Sequence, residues 1–428
     1  MSLWSYVSLT DMAMRFIPFV LFFELPIYVL IAAGVVRYVV RRTWLVNSAR
    51  HTPAVSAIVT AYSEGEAVRM TIRSLAYQIY DGHIEILVMV DGAERNRSTL
   101  EHAEALCSEV AALQNRHLRV VPKWQRGGRV SSLNTGLALA TGEIVMALDA
   151  DTSFDNDMVA CATQHFYDPR VVSVAGNLRV RNGAKSLIAA LQRAEYMLSI
   201  SLAKTGLSQF NILNNVSGAF GIFRASFLRQ IGGWNTGTAE DLDLTLRMKQ
   251  YFGRHKELRI RFEPRAIGHT DAPATLRGLL DQRLRWDGDL FYQYIRAHGR
   301  AFSPKVVGTL NFWTMIWTGL IWQIAFPALI FLSTIVLLIT NPLALVGGLT
   351  ILYIYYVVNA GLFYTLYIAC LSERRIADLE IIPVLLLLPI YAFFSRLWAL
   401  VAVMSSALFN GQLDSNMAPW WVLRKARY

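Results

Sequence analysis

The sequence is poor in cysteine and in charged residues. Its 428 residues include only three cysteines, Cys107, Cys161 and Cys370, which lie far apart and without the spacing of metal ligands. A disulfide scaffold and a zinc cluster are therefore excluded. Charged residues make up 17% of the chain and apolar residues 54%, whereas soluble domains have about 25% charged residues. This balance excludes a disordered chain and argues against a wholly soluble protein.

Acidic residues are scarcer than basic ones. There are 31 Asp and Glu against 41 Lys and Arg, which gives a net charge of +10. On an apolar chain this excess fits an anionic membrane surface or an anionic substrate better than a nucleic-acid groove. We therefore expect membrane lipids, and no nucleic acid, among the partners.

Long apolar runs stand near both ends of the chain. The first, residues 16–40, is long enough to cross a bilayer and too long for a signal-peptide core. Arg37 stands near its end, Arg41, Arg42 and Arg50 follow it, and only Arg15 precedes it, so the next segment is expected in the cytoplasm. Residues 306–339, 343–371 and 381–409 complete four predicted spans, and the Trp-rich portion 311–322 fits an interfacial helix. Three spans after a cytoplasmic domain leave the basic C-terminus outside, so the span count and the side of the tail stay open.

The composition divides the chain into four predicted parts. These are a transmembrane helix with a basic linker (1–50), a soluble domain (51–299), interfacial and transmembrane helices (300–410) and a basic aromatic tail (411–428). In the soluble domain, the apolar runs 55–61, 84–90 and 143–148 are typical of buried strands and alternate with helical segments. This alternation predicts an α/β domain with a mainly parallel, Rossmann-like sheet. Such sheets bind ligands beyond the carboxyl ends of their strands.

Three acidic motifs fall where that ligand crevice is predicted. Asp91 follows the second strand, and Asp149-Ala150-Asp151 follows a later one. In an extended segment both DxD carboxylates point the same way and could hold Mg²⁺ or Mn²⁺ together with substrate phosphate oxygens. Glu240-Asp241 opens a helical segment, where the macrodipole keeps a carboxylate ionised and able to accept a proton from a hydroxyl group. Taken singly, each motif is equally typical of a turn or of a helix N-terminus.

The helical segment 273–298 carries a basic aromatic motif. Gln282, Arg285 and Trp286 stand at i, i+3 and i+4 and share one face. Arg285 suits a phosphate group, and Trp286 offers a flat surface for a sugar ring. An amphipathic helix with Arg and Trp at lipid headgroups is the equally good alternative.

Taken together and in this order, the D, DxD, ED and QxxRW motifs resemble those of the processive family 2 glycosyltransferases. This group includes the cellulose, chitin, hyaluronan and poly-N-acetylglucosamine synthases, and the resemblance covers residues 54–286. The small size and single N-terminal span look most like the chitin-oligosaccharide and poly-N-acetylglucosamine synthases. The resemblance implies a GT-A fold for residues 51–299, a cytoplasmic catalytic domain in a bacterial plasma membrane, and a nucleotide-sugar donor, usually a UDP-sugar.

The resemblance also implies roles for individual residues. Asp241 would be the general base with Glu240 beside it, and Asp151 the main metal ligand with Asp149. The expected nucleotide-sugar contacts are Tyr62, Glu64, Asp91, Arg129, Asp149 and Arg285. The expected acceptor contacts are Gln282, Trp286, Ser217 and Gly218. The sequence departs from the family pattern at Thr60, Ser63 and Ala239, where the family often has Pro, Asn and Thr, and Arg129 stands where the family commonly has Lys.

These roles predict an inverting transferase that polymerises sugar from a UDP-sugar onto a growing glycan and extrudes the product through its spans. An accessory subunit is a possible partner. A non-processive enzyme that adds one sugar to a lipid is the first alternative, although it generally lacks QxxRW. A glycan transporter subunit with a non-catalytic domain is the second. For the tail, with Trp420 and Trp421 before its basic residues, headgroup attachment is favoured over a lid on the nucleotide.

Overall fold

The computed structural model describes residues 17–45, 51–235 and 239–409, with side chains up to Arg41 in the first range. The tail predicted from residue 411 onward lies outside the described residues. Strands and helices alternate through the middle of the chain, and long apolar helices stand at both ends.

Eight strands of the described residues form one sheet, in the spatial order β3-β2-β1-β4-β7-β6-β8-β5. In chain order they are β1 (Val55–Ala61), β2 (Ile84–Asp91), β3 (Arg116–Lys123), β4 (Ile144–Asp149), β5 (Ser153–Phe154), β6 (Val171–Val180), β7 (Phe220–Arg224) and β8 (Arg259–Thr270). Four of the pairings are parallel and three are antiparallel. The predicted mainly parallel sheet is therefore confirmed, with the antiparallel strand β7 inserted between β4 and β6.

The block β3-β2-β1-β4 of the sheet is parallel, and its strands β1 and β2 are predominantly apolar. Every residue of β1 and β2 is buried, which requires cover on both faces of the sheet. Two separate apolar clusters supply that cover, one on each side, with Ile72 in the first and Leu133 in the second. The carboxyl ends of β1, β2 and β4 consequently open at the same edge.

The helices cover the sheet and continue into the apolar segments. In chain order they are α1 (Leu25–Leu45), α2 (Ala67–Ala76), α3 (Arg97–Glu104), α4 (Cys107–Ala111), α5 (Arg129–Leu139), α6 (Met158–Thr163), α7 (Leu187–Tyr196), α8 (Ala203–Ser208), α9 (Ala225–Gln230), α10 (Glu240–Lys249), α11 (Leu276–Phe291), α12 (Pro304–Val307), α13 (Thr309–Met315), α14 (Phe326–Thr340), α15 (Pro342–Cys370), α16 (Arg375–Leu379), α17 (Ile382–Leu385) and α18 (Leu388–Phe409). Short π-helical segments precede α1, lie between α7 and α8, follow α11, and join α13 to α14.

Four helices of the described chain are long and apolar enough to cross a membrane, namely Ile17–Arg41, Thr309–Thr340, Pro342–Cys370 and Leu388–Phe409. The Trp-rich portion predicted as an interfacial helix is continuous with the second of these. Glu24, in the middle of the first, is fully buried and accepts a hydrogen bond of 2.6 Å from the Tyr356 hydroxyl. This carboxyl group is therefore used in packing between two of the long helices.

The apolar helices contact the α/β domain at several places, two of which involve α1 and α18. Gly34 of α1 lies against Gly206 of α8 so closely that a Cβ on Gly34 would stand 2.1 Å from the Gly206 carbonyl oxygen. At the other end, the Trp398 indole of α18 donates a hydrogen bond of 2.8 Å to the Leu280 carbonyl of α11. The helix that carries the QxxRW motif is therefore attached directly to a long apolar helix.

Candidate active site

Asp91, the last residue of β2, holds the loop that leads into α5. Its Oδ1 accepts hydrogen bonds from the Gly127 amide (2.8 Å) and from the Lys123 ammonium (3.0 Å). Its Oδ2 accepts one from the Gly128 amide (2.8 Å). The carboxylate thus orients two consecutive backbone amides, and Gly128 takes a φ of 82° that favours glycine. Lys123 is a functional residue that sequence reasoning missed, since no motif marks it.

Tyr62 and Glu64 lie in the loop after β1. The Arg126 guanidinium stacks on the Tyr62 ring at 4.0 Å from its centroid. Ser63 adopts a φ of 70°, a conformation that asparagine adopts more readily than serine. Burial is the main cause that raises the pKa of Glu64 to about 7. The backbone hydrogen bonds oppose this rise, and the charges of Asp151 and Asp149 contribute to it. Glu64 therefore lies close to the DxD carboxylates.

The DxD motif is not extended as the sequence predicted. Asp149 is the last residue of β4, and the chain turns at Ala150 and Asp151. The two carboxylates therefore do not share a strand face, although they remain neighbours across the turn. Partial desolvation raises the pKa of Asp151, and the charge of Asp149 adds to the rise.

Arg129, the first residue of α5, connects four segments of the site. Its guanidinium is 11% exposed and forms ion pairs with Asp149 and with Glu240, the latter at 2.6 Å. It also donates to the Thr60 hydroxyl (2.8 Å) and to the Gly218 carbonyl (2.6 Å). Burial lowers the pKa of Arg129, but the two carboxylates outweigh this effect and raise it above its ordinary value. The predicted nucleotide contact is therefore also the residue that joins β1, β4, α10 and the segment before β7.

Asp241, the second residue of α10, is oriented by three hydrogen bonds. Its Oδ2 accepts from the Gly218 amide (2.9 Å) and from the Asn215 amide side chain (3.2 Å), and its Oδ1 accepts from the Leu242 amide (2.8 Å). Ala239, just before the helix, has a left-handed φ of 50°.

Lys204 is a second residue that sequence reasoning missed at this site. Its ammonium donates to the Asn215 carbonyl at 3.1 Å. Burial lowers the pKa of Lys204 to about 8, against the charge of Asp241, which raises it. No sequence motif surrounds Lys204, so only its distance from Asp241 reveals it.

Gly218 fits its place because it has no side chain. A Cβ there would stand 3.0 Å from the Glu240 carboxylate and 3.3 Å from the Asp241 Cβ. Its amide and carbonyl meanwhile bind Asp241 and Arg129. Ser217, its neighbour, forms no side-chain hydrogen bond among the described residues.

The three residues of the QxxRW motif lie on α11, as predicted, but no hydrogen bond or ion pair of the described chain joins them to the cluster around Arg129. Trp286 is 43% exposed, and the Arg283 guanidinium lies 4.9 Å from its ring centroid. Arg285 is exposed, and the Gln282 side-chain oxygen is buried without a hydrogen-bond partner. Within the described residues, these three side chains are thus neither hydrogen-bonded nor ion-paired to the cluster around Arg129.

The fold and the site define a class. Residues 56–232 match the family model described as glycosyl transferase family 2. The match includes Asp91, Arg129, the DxD motif and Gly218, and it ends before Asp241 and α11.

The chain is also similar to individual proteins whose names describe an activity. The poly-beta-1,6-N-acetyl-D-glucosamine synthase of Staphylococcus epidermidis is 30% identical over 248 residues, which are 57% of this chain and 57% of the relative. The synthase of the same name from Staphylococcus aureus is 29% identical over 233 residues, 54% of this chain and 53% of that one. The chain thus spans just over half the length of these relatives. The resemblance to family 2 enzymes close to poly-N-acetylglucosamine synthases is confirmed.

The fold has a solved counterpart. The mannosyltransferase PcManGT from Pyrobaculum calidifontis, in complex with GDP-Man and Mn²⁺, superposes with a TM-score of 0.54 at 18% identity, over 94% of this chain and 99% of that one. At this identity the likeness shows the fold alone. The predicted GT-A fold is confirmed.

Proposed function

We propose that the chain is a membrane-embedded inverting glycosyltransferase that polymerises sugar from a UDP-sugar into a polysaccharide or oligosaccharide. The observation that carries the proposal is the Asp241 carboxylate, which is oriented by hydrogen bonds and joined through Gly218 and Arg129 to Asp149 of the DxD motif. The names of the relatives make UDP-N-acetylglucosamine the first donor to test.

The nucleotide would bind at the carboxyl ends of β1, β2 and β4. Tyr62 is 40% exposed and offers its ring to a base. Asp91 has both carboxylate oxygens engaged with backbone amides and Lys123. We therefore assign Asp91 to holding this loop in shape beside the ribose, and Glu64 to a hydrogen bond with base or ribose.

The residues around DxD fit a divalent cation. Among the described residues no three Asp, Glu, His or Cys are grouped as a metal site. A Mg²⁺ or Mn²⁺ that takes its other ligands from a diphosphate and water needs only one or two carboxylates. Burial raises the pKa of Asp151 and the charge of Asp149 adds to the rise, and a bound cation would offset both effects. Asp151 would hold the ion with Asp149 nearby, and the ion would neutralise charge on the departing diphosphate.

In the reaction, one Asp241 oxygen takes the proton of an acceptor hydroxyl group. The hydroxyl oxygen attacks the anomeric carbon as the bond to the nucleoside diphosphate breaks, so the configuration inverts. Arg129 keeps Asp149 and Glu240 in place, and Arg285 is available to the departing diphosphate. Glu240 supports Asp241 by its ion pair with Arg129.

The acceptor glycan would leave along α11 into a path between the long apolar helices. Trp286, exposed on α11, marks the entrance, and the Trp398 hydrogen bond ties that helix to α18. Ser217, Gly218 and Gln282 complete the acceptor side. This topology requires residues 51–299 to form a catalytic domain in the cytoplasm, with membrane lipids, and an accessory subunit where one is needed, as partners.

The test uses the full chain in lipid nanodiscs with labelled UDP-N-acetylglucosamine and other UDP-sugars, with Mn²⁺ or Mg²⁺. We expect high-mass product from the wild type and loss of product with Asp241→Asn. Asp243→Asn is the matched control, because Asp243 lies on the same helix but pairs with Arg247 and His298. Its activity per folded molecule should persist.

Product size separates the alternatives. If the product is a single sugar attached to a lipid, the enzyme is non-processive and the proposed polymerisation is wrong. Unchanged glycan synthesis in Asp241→Asn would refute the assignment of the base. Absence of product from the wild type, together with transport of a preformed glycan, would indicate a transporter subunit with a non-catalytic domain.

A further inference from the structure

A cavity of about 240 Å³ lies apart from the residues assigned above, between the end of β6, α7 and the segment that follows α15. Its polar lining is four arginines, one histidine and one acid: Arg179, Arg181, Arg193, Arg374, His269 and Asp378. None of the sequence-predicted site residues lines it. The chain thus has a second concave site with a strongly basic wall.

Part of this charge is matched within the protein. Asp378 is buried, and its Oδ1 pairs with Arg193 at 3.2 Å, while its Oδ2 accepts from the hydroxyls of Tyr367 and Ser372. Arg181 pairs with Asp271 at 3.0 Å. The single acid of the wall is therefore fully engaged.

His269 is matched in the same way, by Asp155 at 2.8 Å. The hydrogen bond from His269 lowers the pKa of Asp155 most, and the charges of Arg374 and Arg179 lower it further. The charges of both arginines thus act on Asp155, although neither arginine is hydrogen-bonded to it.

Arg179 and Arg374 form no direct ion pair within the described residues. Arg179 is 8% exposed, its Nε is buried without a partner, and its guanidinium makes no hydrogen bond or ion pair in the described chain. Arg374 is exposed and likewise makes no side-chain hydrogen bond among the described residues. A buried guanidinium without an acceptor is costly. An anion in the cavity would supply the missing acceptor.

The cavity opens beside the end of a predicted span. Arg374 and Arg375 follow α15 by a few residues, and the adjoining helix α16 leaves Ile376 84% exposed and Leu379 46% exposed. Exposed apolar residues next to arginines at a span end are typical of the interface between lipid tails and headgroups. The anion nearest to such a position is the phosphate of a lipid.

We propose that this cavity binds a phosphate group, carried by the headgroup of an anionic phospholipid, between Arg179 and Arg374. Guanidinium groups bind phosphate through paired, charge-assisted hydrogen bonds, so two of them facing one cavity suit its oxygens. Arg181 also donates to the Asp151 carbonyl at 3.4 Å. The bound headgroup would therefore lie one side chain away from the DxD turn.

The test measures binding of a fluorescent short-chain phosphatidylglycerol to the full chain in a neutral detergent. Phosphatidylcholine is the comparison lipid. Arg374→Gln should weaken phosphatidylglycerol binding about fivefold, the factor expected for one arginine near a membrane surface. Arg375→Gln is the matched control, because Arg375 is the adjacent exposed arginine and bonds to the Ala369 carbonyl outside the cavity. It should bind like the wild type.

A second arm identifies the source of the phosphate. Inorganic phosphate should not displace the lipid at concentrations comparable with the lipid. If inorganic phosphate binds with the same dependence on Arg374 and phosphatidylglycerol does not bind, the phosphate site stands but its ligand is soluble, and the lipid assignment is wrong. Equal losses in Arg374→Gln and Arg375→Gln, or no loss in either, would overturn the site.

Arg179→Lys provides a check inside the cavity, since it keeps the charge but removes the guanidinium fork. It should weaken phosphatidylglycerol binding while leaving the circular dichroism spectrum and the unfolding temperature near those of the wild type. Because every readout is binding rather than sugar transfer, the outcome is independent of the proposed function.

Discussion

Replacing Gly218 with alanine tests whether the cluster around Arg129 works as a unit. The added methyl group would lie 3.0 Å from the Glu240 Oε1 and 3.3 Å from the Asp241 Cβ, where ordinary contacts begin at 3.4 Å. Both neighbours sit at the start of α10 and are held by hydrogen bonds. The substitution should therefore push this helix start outward by a few tenths of an ångström.

The magnitude follows from which groups must move. Overpacking of this kind costs about 1–3 kcal/mol of folding free energy, a modest loss for a chain of this size. Catalysis should suffer more, since displacing a reacting group by about 1 Å costs about 100-fold. Because the shift here is smaller, we expect kcat to fall about tenfold or more, with little change in KM for the nucleotide sugar.

The assay is steady-state sugar transfer in nanodiscs, together with thermal unfolding of the same samples. Gly361→Ala is the control, because a Cβ at Gly361 meets nothing within 4 Å. A Gly218→Ala enzyme with wild-type kcat would refute the idea that the Gly218 backbone sets the position of Asp241. A fall in kcat that tracked the loss of folded protein would refute it equally.

Three further predictions concern the charges of the site. Arg129→Met leaves Asp149 and Glu240 without their shared cation and should lower the free energy of unfolding by about 3–5 kcal/mol. Denaturant unfolding measures this loss, with Arg126→Met as the control. An equal loss in both variants would contradict the structure. The pKa of Glu64 is raised from 4.5 to about 7, so in the absence of metal and nucleotide the folded state binds the proton more tightly and stability falls as the pH rises through that window. Glu64→Gln should reduce this loss of stability with pH and should raise the unfolding temperature above pH 7. A plot of its stability against pH that runs parallel to that of the wild type would contradict this prediction. Arg285→Gln should change stability by less than about 0.5 kcal/mol while lowering transfer about 100-fold, and unchanged transfer would remove Arg285 from the reaction.

The parallel block of the sheet could be predicted because its strands are predominantly apolar. The predicted strand 84–90 is observed as Ile84–Asp91, and every one of its residues is buried. The same reasoning cannot find β7, a five-residue strand that contains a glycine and pairs antiparallel on both sides. Its direction is decided by neighbours distant in the chain, which no local pattern records.

The candidate site could be predicted only in part. The order of the acidic motifs indicated that they meet, and Arg129 joins Asp149 to Glu240. The extended form of DxD was wrong, because β4 ends at Asp149. Lys123 and Lys204 escaped prediction because their importance lies in distances of 3.0 and 3.1 Å to partners far along the chain. The roles assigned to Gln282, Arg285 and Trp286 stay predictions, since these side chains make no contact with the cluster.

The meeting of Gly34 with Gly206 also bears on how such an enzyme could move. With backbone against backbone and no side chain between them, we expect the first long helix to move together with α8 and the domain that carries it. We then expect any movement that advances a polymer at the other contact, where the Trp398 indole of α18 is hydrogen-bonded to α11. A bulky residue in place of Gly34 should separate the first long helix from α8. It should therefore disturb the assembly of the chain without altering the residues that carry out the chemistry.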